Sequence, residues 1–373
     1  MSCSRPGSSV PWQADGGQVD LSAYTTLRLG GPARRFAEPA TEAGLIAAVR
    51  TADEQGDPLL VLGGGSNLVV ADDGFDGTAL RVATGGLTLL DRVEHTMVTA
   101  AAGENWDELT ARCAAADLAG IECLAGIPGL VGATPIQNVG AYGQEVAETI
   151  TAVRAFDRAR GETVELTGEQ CEFGYRTSMF KRSIGWEGGP SGRFVVLEVT
   201  FALTRDPLSR PVRYAELARR LGVEPGGRAP LADVRAAVLA LRRGKGMVLD
   251  PDDPDTRSAG SFFTNPVISE ARFGELERIA AARFGAQVTV PRFPADDGVK
   301  VPAAWLIERA GFTKNYPYGS AVHVSAKHTL ALVNQGGGST KDLIALAGEI
   351  RDGVNESFGI KLTPEPVLIG VTL

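Results

Sequence analysis

The chain has 373 residues, enough for two or three domains, and its 44% hydrophobic and 22% charged content is that of a globular protein rather than a disordered one. The formal net charge of −8 argues against a nucleic-acid-binding protein, because neutralising phosphates needs a basic surface. Glycine accounts for 46 residues, well above the usual ~7%. This excess indicates tight turns and close approach of the backbone to a ligand.

The sequence predicts no metal site, no disulfide framework and no membrane span. The cysteines Cys3, Cys113, Cys123 and Cys171 form no CxxC pair, and the three histidines form no HExxH motif. The N-terminus has no apolar signal region, and no run reaches ~18 apolar residues. We therefore expect a cytoplasmic protein with a flexible tail over residues 1–20. Since no coiled coil or exposed apolar stripe is evident, we expect a monomer.

Helical and strand patterns alternate along the chain and predict the α+β class. Helical spacing of apolar residues predicts helices at 41–55, 106–116, 231–243, 271–284, 302–310 and 341–358. Apolar, β-rich runs predict strands at 36–39, 59–62, 68–70, 83–102, 150–157, 163–166, 194–203, 321–324, 330–334 and 366–373. A polar segment rich in Pro and Asp, residues 249–257, is predicted to be a linker.

A Gly-Gly-Gly-Ser-Asn loop, residues 63–67, lies between two predicted strands. Glycines let the backbone approach an anion and point successive N–H groups at phosphate oxygens. The loop is not the dinucleotide fingerprint, because Leu68 occupies a glycine position, and it is not a Walker A loop, because no GK[ST] follows. A plain hairpin turn explains this loop equally well.

A second glycine loop spans residues 126–143 and contains five glycines and two prolines. Such a sequence is costly to order unless the backbone shape itself is used. The side-chain amides of Gln137 and Asn138 add neutral hydrogen-bond donors, which suit a pyrophosphate or the edge of an isoalloxazine ring. The alternative is a structural loop between domains.

Three further segments each carry one reactive side chain. Arg176 lies in an aromatic segment, and a buried arginine must be paired or must meet an anion. Ser261 follows small residues and precedes a Phe pair, with no histidine close in sequence to activate it. Glu365 stands between two prolines in an apolar segment, which would raise its pKa. A core ion pair, a structural serine and a surface acid are the alternatives.

These five segments, in this order, resemble those of the UDP-N-acetylenolpyruvoylglucosamine reductase family. The matching motifs are GGGSN, IPGxVGxxPIQNxGAYG, FGYRxSxF, GSFFxNP and LxPExxxxG, and WLIERAG at 305–311 is similar to the family's third domain. The resemblance covers residues 27–370. The long segment between Phe180 and Phe194, together with WLIERAG, favours the Escherichia-like subtype.

The resemblance implies three domains. Two would form an FAD-binding unit of the PCMH/vanillyl-alcohol-oxidase type, and the third would be an α+β substrate-binding domain. The implied boundaries are residues 1–83 with 359–373, residues 84–249, and residues 250–358. The implied enzyme is UDP-N-acetylmuramate dehydrogenase. It would use tightly bound FAD, and NADPH as reductant, to convert UDP-N-acetylglucosamine enolpyruvate to UDP-N-acetylmuramate for peptidoglycan and cell-wall synthesis.

The resemblance also implies roles for individual residues. Arg176 would supply a cation to the developing negative charge, Glu365 an un-ionised acid, and Ser261 the proton. All three would bind substrate, and the other substrate contacts would be Tyr175, Lys245, Asn265 and His328. The implied cofactor contacts are Gly63, Gly64, Gly65, Ser66, Asn67, Ile127, Pro128, Gly129, Gly132, Ala133, Pro135, Gln137, Asn138, Gly140, Ala141, Tyr142 and Gly143.

Two alternative functions stay open at the level of sequence. An FAD-dependent sugar or lactone oxidase of the same fold would react fast with oxygen and need no NADPH. A non-catalytic flavin- or nucleotide-binding regulator would keep the glycine loops but would not need Arg176, Ser261 or Glu365.

The loop 181–193 departs from the subtype, because it lacks the tyrosine that closes over the diphosphate. Trp186 is its only aromatic residue, and whether it takes that role is open.

Overall fold

The computed structural model describes residues 19–186, 189–295 and 298–373, and the chain divides into two compact units. The described part of the first unit is Val19–Asp20, Pro32–Gly65 and Phe75–Val248. The second unit is Leu21–Gly31, Ser66–Gly74 and Leu249–Leu373. The three-domain division stays a prediction. The predicted tail and Cys3 lie outside the described residues, except that the last two tail residues form a short strand.

The described strands and helices are numbered in chain order. The strands are β1 (Val19–Asp20), β2 (Pro32–Ala37), β3 (Leu59–Leu62), β4 (Leu68–Val70), β5 (Phe75–Arg81), β6 (Leu87–Asp91), β7 (Thr96–Ala101), β8 (Leu118–Ala119), β9 (Gly140–Ala141), β10 (Gln144–Glu145), β11 (Ile150–Asp157), β12 (Glu162–Thr167), β13 (Phe194–Arg205), β14 (Ser258–Ser261), β15 (Val267–Ile268), β16 (Phe293–Ala295), β17 (Gly298–Lys300), β18 (Val322–Val324), β19 (Ala331–Asn334) and β20 (Val367–Ile369). The helices are α1 (Glu42–Glu54), α2 (Trp106–Ala115), α3 (Met179–Arg182), α4 (Ala215–Leu221), α5 (Leu231–Gly244), α6 (Glu270–Phe284), α7 (Ala303–Arg309) and α8 (Thr340–Phe358). None of the described helices has the length and apolar character that crossing a bilayer requires.

A four-stranded sheet of order β1-β2-β5-β3 opens the first unit. β2, β5 and β3 run parallel, and α1 connects β2 to β3. Helix α1 begins at Thr41 because the threonine hydroxyl accepts a hydrogen bond from the N–H of Gly44. Its apolar stripe, including Leu45 and Val49, is fully buried. This parallel arrangement places the carboxyl end of β3 immediately before the first glycine loop.

The larger sheet of the first unit is antiparallel, with the order β12-β11-β13-β7-β6 and β8 added to β13. Its buried face includes Phe156 and Phe201, and the ring of Phe201 lies 5.8 Å from that of Trp106 on α2. The indole N–H of Trp106 donates to the carbonyl of Leu124 at 3.0 Å, so this buried polar group is satisfied. Helices α4 and α5 contribute to a separate apolar cluster that includes Val234.

The second unit contains the three-stranded sheets β14-β19-β18 and β15-β17-β16 and the parallel pair β20-β4. Its core contains Phe262, Phe263 and Phe358. Helix α8 begins with a capping box formed by Ser339 and Asp342.

The helices predicted from apolar spacing are confirmed, and three strand or linker predictions differ from the structure. The predicted strand 83–102 is the antiparallel pair β6 and β7, with a turn between them closed by the Arg92 N–H and the His95 carbonyl. Residues 63–67 are not a hairpin turn, because β3 pairs with β5 whereas β4 pairs with β20. Within the predicted linker, residues 249–257, Pro254–Thr256 form a short 3-10 helix and Asp255 is only 5% exposed.

Candidate active site

Two glycine loops approach each other backbone to backbone in the first unit. A Cβ atom on Gly64 would lie only 2.7 Å from the Cα of Gly129, so no larger residue fits without displacing backbone. Gly65 and Gly129 both have positive φ angles, +63° and +130°. Glycine is therefore required in both loops, and the predicted cofactor residues Gly63, Gly64 and Gly129 are brought together.

The second glycine loop is also attached to the end of β7. The N–H of Gly132 donates to the carbonyl of Ala102 at 2.9 Å, and that of Val131 donates to the carbonyl of Glu104 at 2.9 Å. A Cβ atom on Gly132 would lie 2.5 Å from the Cβ of Ala102 and 2.9 Å from its Cα. The other predicted cofactor residues of this loop in the first unit are Ile127, Pro128, Ala133, Pro135, Gln137, Asn138, Gly140, Ala141, Tyr142 and Gly143.

Substituting Gly132 by alanine is expected to weaken flavin binding. The added methyl group must displace Ala102 or the loop itself, and overpacking of this kind costs ~1–3 kcal/mol. Flavin absorbance per mole of purified protein measures the effect. The matched control is Gly244→Ala, because a Cβ atom at that position in α5 meets nothing within 4 Å. Equal flavin content in the two variants would contradict the prediction.

Asn138 joins the second glycine loop to the segment that carries Arg176. The residue is 1% exposed and has a φ of +48°. Its side-chain Nδ2 donates to Glu145 Oε2 at 2.7 Å and to the carbonyl of Gly174 at 3.1 Å, and its Oδ1 accepts from the N–H of Ala147 at 3.1 Å. Both amide hydrogens are thus used within the protein, and a cofactor contact by Asn138 stays a prediction.

The guanidinium of Arg176 is held over the second glycine loop. Its Nη2 donates to the carbonyl of Gly140 at 2.7 Å, and its Nη1 donates to the carbonyl of Asn138 at 3.4 Å. The ring centroid of Tyr175 lies 5.6 Å from the guanidinium carbon. Arg176 has a φ of +53°, a conformation that costs ~1–3 kcal/mol in a non-glycine residue and that concentrates at functional sites.

Lys245 lies just after α5 and supplies a second positive charge in the first unit. Its Nζ donates to Glu216 at 3.1 Å and lies 5.7 Å from the ring centroid of Tyr142. Burial opposes the charge of Lys245, but the hydrogen bond with Glu216 and nearby charges outweigh burial and raise the pKa of the ammonium group. Burial raises the pKa of Tyr142, so its phenol is neutral at physiological pH. Tyr142 and Gly143 form the turn between β9 and β10, both with positive φ.

The second unit pairs the Ser261 segment with the Glu365 segment. Phe263 and Pro364 form an antiparallel bridge, and the N–H of Glu365 donates to the carbonyl of Phe262 at 2.9 Å. The structure therefore brings together backbone segments separated by about a hundred residues of sequence, as expected if both residues serve one site.

Asn67, predicted as a cofactor contact, also belongs to this pairing. Its Nδ2 donates to the carbonyl of Glu365 at 3.4 Å, and its carbonyl accepts from the N–H of Val367 at 2.9 Å. Ser66 and Asn67 fall in the second unit, whereas Gly63, Gly64 and Gly65 fall in the first. Asn67 thus anchors the start of β20, which follows Glu365.

The predicted substrate residues fall in two sets. Tyr175, Arg176 and Lys245 belong to the first unit, and Ser261, Asn265, His328 and Glu365 to the second. The carbonyl of His328 accepts from the N–H of Ala331, which is paired with Ser261 across β14 and β19. The Oδ1 of Asn265 accepts from the N–H of Ala303 at 2.9 Å, at the first residue of α7. The turn bearing His328 therefore lies beside the Ser261 strand, while Asn265 caps a helix.

Asp255 is a residue of this region that sequence analysis missed. Its carboxylate accepts from the hydroxyl of Ser325 at 2.7 Å and from the N–H of Ala326 at 3.1 Å. The oxygen of Ser325 in turn accepts from the N–H groups of Lys327 and His328, at 3.0 and 3.1 Å. The buried aspartate thus fixes the turn that carries His328. Its neighbours in the Pro- and Asp-rich segment gave no local signal of this role.

Replacing Asp255 by asparagine is expected to lower the free energy of unfolding by ~1–3 kcal/mol. If the asparagine oxygen accepts from the N–H of Ala326, its NH₂ group must point at the hydroxyl of Ser325. That hydroxyl oxygen already accepts two hydrogen bonds, from Lys327 and His328, so the hydrogen bond from Ser325 to the carboxylate is lost. Urea unfolding of the two proteins measures the change, and the exposed Asp252→Asn is the control. A wild-type midpoint for Asp255→Asn would show that the carboxylate does not hold the turn.

Trp186 lies beside Arg158 within the first unit. The guanidinium carbon of Arg158 lies 4.8 Å from the Trp186 ring centroid, and its Nη1 donates to the carbonyl of Gly192 at 3.0 Å. The hydroxyl of Ser191 accepts from the N–H of Val61 on β3 at 2.7 Å. Residues 187–188 of this loop lie outside the described residues. A substrate contact by Trp186 stays a prediction.

The residues present fit a flavin dinucleotide better than a metal ion. The two glycine loops approach so closely that no side chain fits between them, which suits close backbone contact with a diphosphate. Among the described residues, no group of three or more His, Cys, Asp and Glu could hold a metal ion. Cys113, Cys123 and Cys171 are buried, and burial raises the pKa of each thiol to about 12, so these thiols are unreactive.

Comparison with known proteins agrees with this assignment. The model of an FAD binding domain matches residues 33–167, and the model of the UDP-N-acetylenolpyruvoylglucosamine reductase C-terminal domain matches residues 252–369. UDP-N-acetylenolpyruvoylglucosamine reductases from Thermobifida fusca and Streptomyces coelicolor are 57% and 55% identical to the chain. The matches cover 95% and 99% of the chain and 98% and 95% of those relatives. A crystal structure of UDP-N-acetylenolpyruvylglucosamine reductase from Thermus caldophilus matches with a TM-score of 0.62 and 25% identity, over 95% of the chain and 98% of that structure.

The fold and the matching domains define an FAD-binding oxidoreductase of the α+β class. The match to the FAD binding domain includes both glycine loops, and the match to the C-terminal domain includes the paired Ser261 and Glu365 segments. The chain belongs to the UDP-N-acetylenolpyruvoylglucosamine reductase family.

Proposed function

We propose that this chain catalyses the NADPH-dependent reduction of UDP-N-acetylglucosamine enolpyruvate to UDP-N-acetylmuramate, with FAD as its bound cofactor, in the synthesis of peptidoglycan precursors. Family membership over nearly the full chain supports this function. The structural observation that carries it is the pairing of the Ser261 segment with the Glu365 segment in one unit. A sugar or lactone oxidase gives no reason for a hydroxyl and a carboxyl group to be held on paired segments.

The chemical difficulty is the charge that the reaction creates. FAD, when bound, supplies hydride exchange between NADPH and the enolpyruvyl group. Adding hydride to an alkene conjugated with a carboxylate places a second negative charge on a few neighbouring atoms. A fixed cation and a neutral hydrogen-bond donor stabilise such charge far better than water, because they need no reorganisation.

We assign the cation to Arg176. Two backbone carbonyls of the second glycine loop hold its guanidinium in place, so its charge is oriented before the substrate binds. A guanidinium keeps its proton at all physiological pH values and can bind a carboxylate through two parallel hydrogen bonds. Tyr175 and Lys245 in the same unit are assigned to the substrate, with Lys245 serving as a point charge for the diphosphate.

We assign the proton to Ser261 and the neutral donor to Glu365. A hydroxyl is a weak acid, but the carbanion is a strong base, so transfer from Ser261 to the substrate carbon is favourable. Glu365 stabilises the added charge if its carboxyl group is protonated, as carboxylic acids in apolar sites can be. The N–H of Glu365 donates to the carbonyl of Phe262, the residue after Ser261. This hydrogen bond holds the backbone at Glu365 beside the segment that carries Ser261.

Three finer features are proposed on the family resemblance alone. They are the three-domain division, the Escherichia-like subtype and the contacts of Asn265 and His328 with substrate. A monomeric state is proposed because the sequence shows no coiled coil or exposed apolar stripe.

The proposed function is tested by two half-reactions without oxygen. The purified yellow protein is reduced with NADPH until the flavin absorbance is lost, and the enolpyruvyl nucleotide is then added. Return of the absorbance with formation of UDP-N-acetylmuramate supports the proposal. Absorbance that returns only on admitting oxygen would instead indicate the oxidase. Failure of NADPH to reduce the flavin would contradict the proposed reductant.

A further inference from the structure

Arg242 is a buried arginine that meets no carboxylate in a salt bridge among the described residues. It lies in the last turn of α5 and is 8% exposed. Its Nη2 donates to the carbonyl of Met247 at 2.9 Å, but its Nε is buried and has no hydrogen-bond partner. Within the described residues, Arg242 forms no salt bridge. Burial lowers the pKa of Arg242 to about 10, so the side chain still carries its charge at neutral pH.

Other buried or half-buried arginines of the first unit form salt bridges. Arg158 forms a salt bridge with Asp53 at 2.5 Å, and Arg235, on the same helix as Arg242, pairs with Asp107 at 2.8 Å. Asp107 also accepts from the N–H of Gly126 at 2.7 Å. Asp107 is the carboxylate whose charge acts on Arg242 from a distance, and it is already bound by Arg235 and by the Gly126 N–H. A buried cation left uncompensated is strongly destabilising.

The position of Arg242 connects it with the second glycine loop. A Cβ atom on Gly126, the first residue of that loop, would lie 3.5 Å from the Arg242 Nε. At the other end of the loop, Tyr142 is close enough for the charge of Arg242 to act on its phenol. The unsatisfied Nε–H therefore lies beside Gly126, at the start of the loop that is predicted to hold the cofactor.

We propose that Arg242 is the counter-charge for an anionic oxygen that FAD brings to the second glycine loop. The oxygen belongs either to the diphosphate or to the N1–C2 edge of the reduced ring, where negative charge collects. The proposal rests on the proposed FAD-binding function. Burying a guanidinium is unfavourable, and an apolar side chain at this position would avoid that cost. A charged oxygen of the bound cofactor would offset the cost by pairing with the guanidinium.

A purely structural role makes a different prediction. If Arg242 served only to bind the Met247 carbonyl after α5, its replacement would lower stability without a specific effect on the flavin. Measurements on the flavin itself therefore separate the two explanations.

The experiment compares Arg242→Met and Arg242→Lys with Arg243→Met, an exposed position in the same helical turn. FAD release from each holoprotein is followed by flavin fluorescence, and the flavin midpoint potential is measured by equilibration with a redox dye. With the diphosphate as partner, Arg242→Met weakens FAD binding about 10- to 100-fold, and Arg242→Lys restores part of it. With the ring edge as partner, the midpoint potential falls in Arg242→Met while binding of oxidised FAD changes little.

Arg243→Met is expected to match the wild type in both measurements. The proposal is overturned if Arg242→Met retains both the wild-type affinity for FAD and the wild-type potential. If Arg242→Met does not fold, Arg242→Gln decides the question, because glutamine removes the charge but keeps a hydrogen-bond donor. Wild-type affinity and potential in Arg242→Gln overturn the proposal. Neither readout uses the enolpyruvyl nucleotide, so the outcome is independent of whether that nucleotide is the substrate.

Discussion

Alanine at position 261 is expected to leave reduction of the flavin by NADPH near its wild-type rate and to slow reoxidation by the enolpyruvyl nucleotide. Loss of a positioned proton donor typically costs about 10²–10⁴-fold. The backbone pairing of Ser261 with Ala331 does not involve the hydroxyl, so the strand persists in the variant. Stopped-flow absorbance under anaerobic conditions measures the two half-reactions separately.

Ser258→Ala is the matched control for this prediction. It removes a hydroxyl from the same strand, where the oxygen of Ser258 accepts from the N–H of Gly260 at 3.2 Å. Both half-reactions should stay close to wild type in this control. If Ser261→Ala reoxidises as fast as the wild type, then Ser261 does not deliver the proton.

Methionine at position 176 is expected to slow the substrate half-reaction about 10²–10³-fold, the usual cost of losing one group that stabilises a developing oxyanion. Lysine should restore only part of the rate, because an ammonium group lacks the planar fork of the guanidinium. That fork is what reaches the carbonyls of Gly140 and Asn138. The rate of flavin reoxidation at saturating nucleotide measures the loss.

Arg182→Met serves as the control, since Arg182 is exposed, lies in the same segment and pairs with Glu172. It removes one positive charge without touching the second glycine loop. A substrate half-reaction equally fast in Arg176→Met and Arg182→Met would exclude Arg176 as the stabilising cation. A loss confined to NADPH reduction would assign Arg176 to the reductant instead.

The local elements of the fold could be predicted from the sequence because their causes are local. Helix α1 follows from a threonine cap and an apolar stripe, and α8 from a stripe of the same kind. Local sequence does not show that β4 pairs with β20, which lies near the other end of the sequence. Only the family resemblance, which groups residues 359–373 with residues 1–83, implies an association of this kind. A local reading therefore made a hairpin of the first glycine loop equally plausible.

In the candidate site too, motifs could be recognised in the sequence, but contacts made through tertiary structure could not. The motifs around Arg176, Ser261 and Glu365 identify the family, but nothing near Gly64 in sequence shows that it touches Gly129. Arg242 and Asp255 escaped notice because an arginine in a basic helix end and an aspartate among others in a polar segment look solvent-exposed. Burial distinguishes them, and burial is a property of the tertiary structure.

The parallel pair β4 and β20 constrains the order in which the protein can assemble. Val69 and Leu368 are register partners, and closing so long a loop carries an entropic cost that short-range contacts do not have. Pairings of this separation tend to form late in folding. A refolding chain should therefore regain helical content before the carboxyl group at position 365 reaches its place, and enzymatic competence should be among the last properties to return.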